Sequence, residues 1–219
     1  MITLEDVINN EEVQAFVNAS QKQLKALGYT EHSYRHIGIV SKRTGEILQK
    51  LGYDERTIEL GKIAGDMHDI GNCVNRVDHA HTGAILAYNI LKEMGMDAEE
   101  RTEIMMAIGN HDENTGTAVS DISAAIILAD KSDAHRSRVS KKDRILFDKH
   151  DEVNYAVTSS DLIIDKEQRK AILNLTIDTK ICPVIDYFEI FMDRTKMSKR
   201  AAKYLGLWFE LVINNTNLL

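Results

Sequence analysis

The sequence is poor in the residues that interrupt secondary structure or cross-link a chain. Its 219 residues include one proline, 12 glycines and two cysteines, Cys73 and Cys182. So few chain breakers favour long, regular helices. Two cysteines are too few for a disulfide-built scaffold and are typical of reduced thiols, so we expect a cytoplasmic protein.

Long apolar runs and an excess of basic residues are also missing. The longest obvious apolar run, Ala124–Ala129, has six residues, whereas a membrane-spanning helix needs about 20. Residues 1–30 carry charges throughout and lack the apolar core of a signal peptide. The 27 basic and 34 acidic side chains give a formal net charge of −7, so no overall positive field attracts nucleic acid or anionic lipid. We therefore expect neither nucleic acid nor a membrane as a partner.

The first 150 residues show the pattern of consecutive amphipathic helices. Apolar residues recur every three or four positions, and capping residues or glycines mark the ends. The predicted helices span Asp6–Leu27, Ser33–Leu51, Asp54–Met67, Asp78–Met94, Asp97–His111 and Ser120–Arg136. The sequence thus predicts a mostly α-helical domain over residues 1–150.

The pattern changes after residue 150. Leu162–Ile164 and Ala171–Ile177 flank a polar stretch, which is typical of a β-hairpin. Pro183 can begin a helix that runs to Tyr204, and Leu207–Ile213 is predicted as a last strand. We expect residues 151–219 to form a small β-β-α-β appendage packed on the helical bundle. Its sheet leaves an edge through which a homodimer could form.

A histidine and an aspartate stand together at the end of the third predicted helix. They are His68 and Asp69, and two adjacent side chains, about 100° apart on a helix, can reach the same metal centre. A carboxylate has two oxygens and can contact two cations at once. Asp69 is therefore the natural bridging ligand of such a centre.

Five sequence fragments resemble the HD superfamily in their order and approximate spacing, over roughly residues 30–140. They read RHIGIV, MHDIGN, DHAHTGA, GNHDEN and ILADKSD. The resemblance implies an HD-type helical bundle that holds a metal through a first His, a His-Asp pair and a distant Asp. Two further histidines hold a second metal in some branches of the superfamily. Carried onto this sequence, the implied metal ligands are His36, His68, Asp69, His79, His111 and Asp130.

His79 is preferred to His81 as the intermediate ligand. Members with two metals carry a histidine four residues before a glycine, and His79 has this spacing to Gly83. Four imidazoles and two carboxylates suit two divalent transition-metal ions, with iron or manganese expected and zinc as the alternative, and they suit calcium poorly. The other histidines are interpreted as solvated or structural; they are His32, His81, His135 and His150.

The resemblance implies a metal-dependent phosphohydrolase, because most characterised members cleave nucleotides or related phosphoesters. Two cations about 3.5–4 Å apart lower the pKa of a bridging water and hold both oxygens of a displacement at phosphorus. We therefore expect hydrolysis of a small phosphorylated substrate, at a phosphoester or phosphoanhydride bond, by a metal-bridging hydroxide. Asp69 is the expected catalytic bridge, and Asp112 is a candidate to protonate the leaving group or orient the nucleophile.

Cationic side chains near the ligands are candidates for binding the phosphate oxygens. Arg35 precedes the first ligand, and Lys131 follows the last. Arg136 and Arg138 lie one to two helical turns further on, and Lys131 and Arg136 are favoured because they continue the ligand-bearing helix. Asn72 completes the predicted substrate-binding set, in a position where the cyclic dinucleotide phosphodiesterase branch carries a lysine.

Departures from known branches narrow the interpretation. The sequence lacks the doubled His of the cyclic dinucleotide phosphodiesterases and the acidic pair of the alarmone hydrolases, which disfavours both. Its ligand pattern resembles that of the bacterial diadenosine polyphosphate hydrolases, which do not account for the appendage. Two alternatives remain open. The mixed-valence di-iron oxygenases of the superfamily share the six ligands, and the chain could also be a non-catalytic, metal-stabilised binding module.

Overall fold

The protein is a helical bundle followed by a small sheet. The computed structural model describes residues 1–29, 34–139, 141 and 144–219, with Arg144 described by its backbone alone. Its helices are α1 Leu4–Ile8, α2 Glu11–Ala26, α3 Tyr34–Leu51, α4 Glu55–Met67, α5 His79–Glu93, α6 Ala98–Gly109, α7 Asp121–Lys131, α8 Lys149–Ala156 and α9 Val184–Tyr204. Its strands are β1 Val157–Asp165, β2 Lys170–Ile177, β3 Trp208–Ile213 and β4 Thr216–Asn217. The predicted fold class, mostly α with a small C-terminal sheet, is confirmed.

Side-chain caps begin several helices at the predicted residues. Asp54 accepts hydrogen bonds from the backbone N–H groups of Arg56 and Thr57 at the start of α4. Asp97 and Ser120 cap α6 and α7 in the same way. Each cap satisfies amide groups that lack a partner within the helix. His32 and Ser33, near the start of the second predicted helix, lie outside the described residues.

The predicted first helix, Asp6–Leu27, is wrong because it is two helices. The side chain of Asn10 accepts hydrogen bonds from the N–H groups of Glu12 and Val13, which starts α2 after a break. Val7 and Val13 are both buried. The apolar spacing therefore continues across the break and conceals it.

Two elements have no counterpart in the sequence-based prediction. Helix α8 has few apolar residues and begins with reciprocal hydrogen bonds between Asp148 and Asp151. Strand β4 consists of two residues. The predicted sixth helix also ends early, at Lys131, and Arg136–Arg138 forms a separate 3-10 turn. Because α8 runs through residue 150, the predicted domain boundary falls within a helix, and the division stays a prediction.

Helix α7 forms the centre of the bundle. Every residue from Ile122 to Lys131 is buried, and α3, α4, α6 and α9 pack around it. Its last turn thus carries Asp130 and Lys131 into the interior. Among the described residues, no helix is both long and apolar enough to cross a bilayer.

The sheet has the order β1-β2-β3-β4 and is joined to the bundle by α9. Strands β1 and β2 form the predicted antiparallel hairpin, and β3 pairs with β2 in parallel. Helix α9 is the crossover between these parallel strands, and it packs against α7. Arg43 of α3 donates a 2.6 Å hydrogen bond to the carbonyl oxygen of Ser160 in β1. The C-terminal elements therefore reach the helix that carries Asp130.

Candidate metal centre

Six side chains from five stretches of the chain converge in the interior. Helices α3 and α7 contribute one each, and the others come from the end of α4, the start of α5 and the end of α6. Each of the six is at most 6% exposed. They are His36, His68, Asp69, His79, His111 and Asp130. The structure therefore brings together all the residues that the sequence predicts as metal ligands.

Asp69 lies at the centre of this cluster, and its two oxygens face different pairs of histidines. Its Oδ2 lies 3.4 Å from Nε2 of His68 and 3.8 Å from Nε2 of His36. Its Oδ1 lies 3.4 Å from Nε2 of His79 and 3.8 Å from Nε2 of His111. This geometry is the one that a bridging carboxylate requires.

Asp130 completes the first of two groups within the cluster. Its Oδ1 lies 3.4 Å from Nε2 of His36. One ligand atom from each of His36, His68 and Asp130 lies within 4.8 Å of the others, and the same holds for His68, Asp69 and His111. Bonds of about 2.0–2.2 Å to one ion place neighbouring ligand atoms roughly 3–4 Å apart. Both groups therefore approach the spacing that one shared ion would require.

The four histidines share one orientation. In each ring, Nδ1 faces an oxygen that accepts a hydrogen bond, so the hydrogen belongs on Nδ1 and Nε2 offers its lone pair to the cluster. The distances are 2.8 Å from His36 to Asp133 Oδ2, 2.8 Å from His68 to Gly65 O, 3.1 Å from His79 to Arg76 O, and 2.6 Å from His111 to Ile108 O. Metal-binding histidines are typically held in this way by partners outside the ligand shell.

The inward-facing nitrogen atoms fit a cation. Nε2 of His79 and Nε2 of His111 are 3.2 Å apart, and two lone pairs at this distance repel unless a positive group lies between them. Burial and the facing His111 lower the pKa of His79 to about 4, so this ring is neutral at pH 7. Nε2 of His68 is buried and makes no hydrogen bond within the described part of the chain.

Two glycines set the distance between Asp69 and His79. A Cβ added to Gly71 would lie 2.0 Å from the carbonyl oxygen of His79 and 2.4 Å from the backbone nitrogen of Gly83. Only glycine permits this approach of two backbones. The 3-10 turn Ile70–Cys73, which follows Asp69, therefore packs directly on the first turn of α5. His81, which also lies in the first turn of α5, has a side chain that is 56% exposed.

Several predicted site residues contact the ligands. Asn72 donates from Nδ2 to the backbone oxygen and to Oδ1 of Asp69, both at 2.9 Å, and so orients that carboxylate. Asp112 lies on the outer side of His79, with Oδ2 3.8 Å from Nδ1. Arg35 donates two 3.2 Å hydrogen bonds to Asp133. The roles predicted for these residues in substrate binding or proton transfer stay predictions.

The remaining predicted cations differ in position. Lys131 lies between Asp130 Oδ2, at 2.7 Å, and Glu113 Oε2, at 2.5 Å. Burial raises the pKa of Glu113, but the charges of Lys131 and Arg194 and the hydrogen bond from Lys131 together outweigh burial and hold the pKa at about 2. Arg136 lies over the ring of Tyr155, 5.3 Å from its centre. It is not among the residues that line the cavity next to the cluster, which is described below.

A cavity of about 200 Å³ opens beside the cluster. Asp69, His79, His111 and Asp130 contribute to its lining, together with residues that the sequence does not identify. These include Asn154, Phe191 and Arg194, and the candidate cation Arg138 lines the cavity as well, with Glu113 and His150. The cavity is thus lined jointly by the bundle and by the C-terminal elements α8 and α9.

For two residues near the cluster, Asp133 and Arg194, the sequence contains a signal that could have identified them. Asp133 stands one helical turn after Asp130 within the fragment ILADKSD, where it can reach the same neighbourhood. Arg194 lies three residues after Phe191 and seven after Tyr187, both of them buried, so it falls on the apolar face of α9. A charged residue on a buried face is a signal of function.

Comparisons with known proteins give distant similarities. No family model matches the chain. It is 27% identical over 157 residues to uncharacterized protein MJ1020 of Methanocaldococcus jannaschii, a match that covers 61% of this chain and 60% of that protein. A crystal structure of a predicted HD superfamily hydrolase from an uncultured Thermotogales bacterium is 26% identical, with a TM-score of 0.44, and the match covers 62% of this chain and 75% of that one.

Proposed function

We propose that this protein is a metal-dependent phosphohydrolase that cleaves a phosphoester or phosphoanhydride bond, with a nucleotide as the expected substrate. One observation carries the proposal: four imidazoles, each held at Nδ1, present Nε2 to one another and to two buried carboxylates. Side chains oriented in this way serve metal binding, because in the absence of a cation their lone pairs repel one another.

The cluster would divide its ligands between two ions. The first group, His36, His68 and Asp130, would hold one ion together with Oδ2 of Asp69, and His79 and His111 would hold the other together with Oδ1. This mixture of nitrogen and carboxylate ligands suits iron, manganese or zinc. Such ions, when bound, supply a water of lowered pKa and polarise phosphoryl oxygens.

Residues around the ligands hold the cluster in one charge state. Burial raises the pKa of Asp130, but the opposing interactions, led by the charge of Lys131 and including that of Arg194, together lower the pKa well below its usual value, so Asp130 stays ionised. Asn72 keeps Asp69 turned towards the histidines. Lys131, Arg138 and Arg194 line the cavity, and their N–H groups can donate to the oxygens of an anionic substrate.

The test is metal analysis combined with a panel of phosphoesters and nucleotides, assayed with and without oxygen. We expect Asp69→Ala to lose both metals and all hydrolysis, because one oxygen of this carboxylate faces His36 and His68 and the other faces His79 and His111. His81→Ala is the matched control, since this exposed histidine on the same helix should keep most of both.

Three results would contradict the proposal. Full metal occupancy in Asp69→Ala would remove the bridging role. Turnover that requires oxygen and retained iron would instead identify the oxygenase alternative. A metal-loaded protein that hydrolyses none of the panel, yet unfolds without its metal, would identify a metal-stabilised binding module.

A further inference from the structure

Arg194 of α9 lies beside the metal-ligand cluster although it belongs to the C-terminal elements. Its Nη2 donates a 3.0 Å hydrogen bond to the backbone oxygen of Asp130 and lies 3.7 Å from Oδ1 of the same residue. The guanidinium group covers the ring of Phe191, 5.0 Å from its centre. Its Nε is buried and has no hydrogen-bond partner among the residues described. One side of this cation is therefore fixed by Asp130, and the residue also lines the cavity, where a ligand could contact it.

Helix α9 departs from regular geometry next to this arginine. Phe191 has φ −115° and ψ 17°, which is not helical, although the helix continues on both sides. Interruptions of this kind often occur at functional sites. Here the irregular residue and Arg194, less than one turn later, both line the cavity.

Arg138 supplies a second guanidinium group to the same cavity. It is 3% exposed and donates a 2.9 Å hydrogen bond from Nη1 to the backbone oxygen of Asp133. Burial is the main factor that lowers the pKa of Arg138, and the charge of Arg194 lowers it further. Arg138, Arg194 and Lys131 thus bring three cations to the lining of one cavity, where their N–H groups can meet the oxygens of an anion.

We propose that Arg194, together with Arg138, binds the terminal phosphate of the substrate, so that the protein acts on phosphomonoesters and terminal phosphates in preference to phosphodiesters. This inference rests on the proposed phosphohydrolase function. A terminal phosphate has three non-bridging oxygens and a diester has two, so the monoester requires donors beyond those that suffice for a diester. Arginine suits this task because its planar donors match phosphate oxygens.

The size of the cavity supports the same substrate class. At about 200 Å³ it is smaller than the roughly 300–1,000 Å³ of sites that enclose a drug-sized ligand. It can enclose a phosphoryl group and part of one substituent. A diester would have to lead two substituents out of the same space.

The experiment compares Arg194→Gln with Arg200→Gln in the manganese-loaded, full-length protein. Arg200 lies on the same helix and is exposed, so it is a matched control. We expect Arg194→Gln to weaken binding of inorganic phosphate, measured by calorimetry, by about tenfold or more, with unchanged metal content. The value of kcat/KM for p-nitrophenyl phosphate should fall roughly 10²-fold, and that for the bis(p-nitrophenyl) diester by less than about threefold. Arg200→Gln should match the wild type in every assay.

A third variant covers the case in which Arg194→Gln loses metal through its contact with Asp130. Arg194→Lys keeps the charge but not the planar donors, and we expect it to show intermediate phosphate affinity. Phosphate affinity equal to the wild type in Arg194→Lys, or in a metal-loaded Arg194→Gln, would overturn the proposal.

The two proposals fail in different ways. A wild-type protein that hydrolyses neither esters nor anhydrides contradicts the phosphohydrolase. If that protein still binds phosphate through Arg194, the binding site stands. A wild-type protein that hydrolyses the monoester, with a metal-loaded Arg194→Gln variant that does so equally well, contradicts the role of Arg194 alone.

Discussion

The cluster histidines are oriented by oxygens outside the ligand set. Three of them donate to backbone carbonyls, whereas His36 donates to the side chain of Asp133. Burial raises the pKa of Asp133, but the hydrogen bond from His36 and the charge of Arg138 outweigh burial and lower it. Asp133 therefore stays an ionised acceptor. Partners of this kind commonly change metal affinity 10- to 100-fold.

In the described part of the chain, Arg76 contacts one half of the cluster, the half formed by His79 and His111, and not the half formed by His36, His68 and Asp130. Its Nη1 lies 3.1 Å from Nε2 of His79 and 3.3 Å from Oδ1 of Asn72. The guanidinium group thus contacts the lone pair that a metal would use. We expect Arg76→Gln to raise the affinity of the His79 and His111 half for manganese by about tenfold or more, because a competing charge is removed.

Calorimetric titration with manganese measures this effect. In the wild type we expect a tight first event and a weaker second one, and Arg76→Gln should strengthen the second. Arg200→Gln provides the control for loss of an arginine elsewhere. An unchanged second event in Arg76→Gln would show that Arg76 does not compete with the ion.

The position of a residue in the cluster was predictable where its chain neighbours carry the information, and its role as a ligand stays a prediction. His79 is distinguished from His81 by its spacing to Gly83, and the structure places His79 in the cluster and His81 at the surface. Arg194 is different, because it follows Asp130 by 64 residues and approaches it only when α9 packs on α7. No local pattern encodes that contact.

Among the secondary-structure elements, the approach of Gly71 to α5 sets the geometry of the cluster. We expect Gly71→Ala to lower the free energy of unfolding by about 3 kcal/mol, because its methyl group would overlap backbone atoms that have no alternative position. The displacement would separate Asp69 from His79, so manganese affinity should fall as well. Chemical denaturation and calorimetry measure the two effects.

Gly38→Ala is the control for this substitution. Gly38 lies within α3, and a Cβ built there meets nothing within 4 Å. Alanine should therefore stabilise α3 by up to about 1 kcal/mol through helix propensity. Equal stability of Gly71→Ala and the wild type would mean that the two backbones can separate without cost.

Helices with strong caps were predictable, and elements held by tertiary contacts were not. Asp54, Ser120 and Pro183 begin their helices as the sequence indicates. Strand β4 pairs over two residues, Val212 with Asn217 and Ile213 with Thr216. So short a strand leaves no periodic pattern, and its position depends on β3 already being in place.

At the scale of the whole molecule, the cluster joins parts of the chain that are distant in sequence. Metal bound to the folded state alone would stabilise the entire bundle. At a free manganese concentration about 1,000 times Kd, the stabilisation is about 4 kcal/mol, which raises Tm by roughly 8–16 °C for a protein of this size. Differential scanning fluorimetry with manganese and with chelator measures the shift.

Asp69→Ala provides the negative control for this shift. Its Tm should not respond to manganese, because both halves of the cluster lose a ligand. A Tm that rises equally in the variant and the wild type would place the stabilising ion elsewhere.

Homodimer formation through the edge of the sheet stays a prediction, which a measurement of the protein's mass in solution would test.

The C-terminal helices α8 and α9 form one wall of the cavity. The position of Arg194 in this wall depends on the number of residues in α9. Tyr187 is buried and anchors the first half of the helix, and Arg194 follows two turns later. One residue inserted between them would rotate the guanidinium group by about 100° around the helix axis. We therefore expect relatives to exchange side chains along this span more freely than they gain or lose a residue, and a deletion there to cost the proposed phosphate contact while leaving every candidate metal ligand intact.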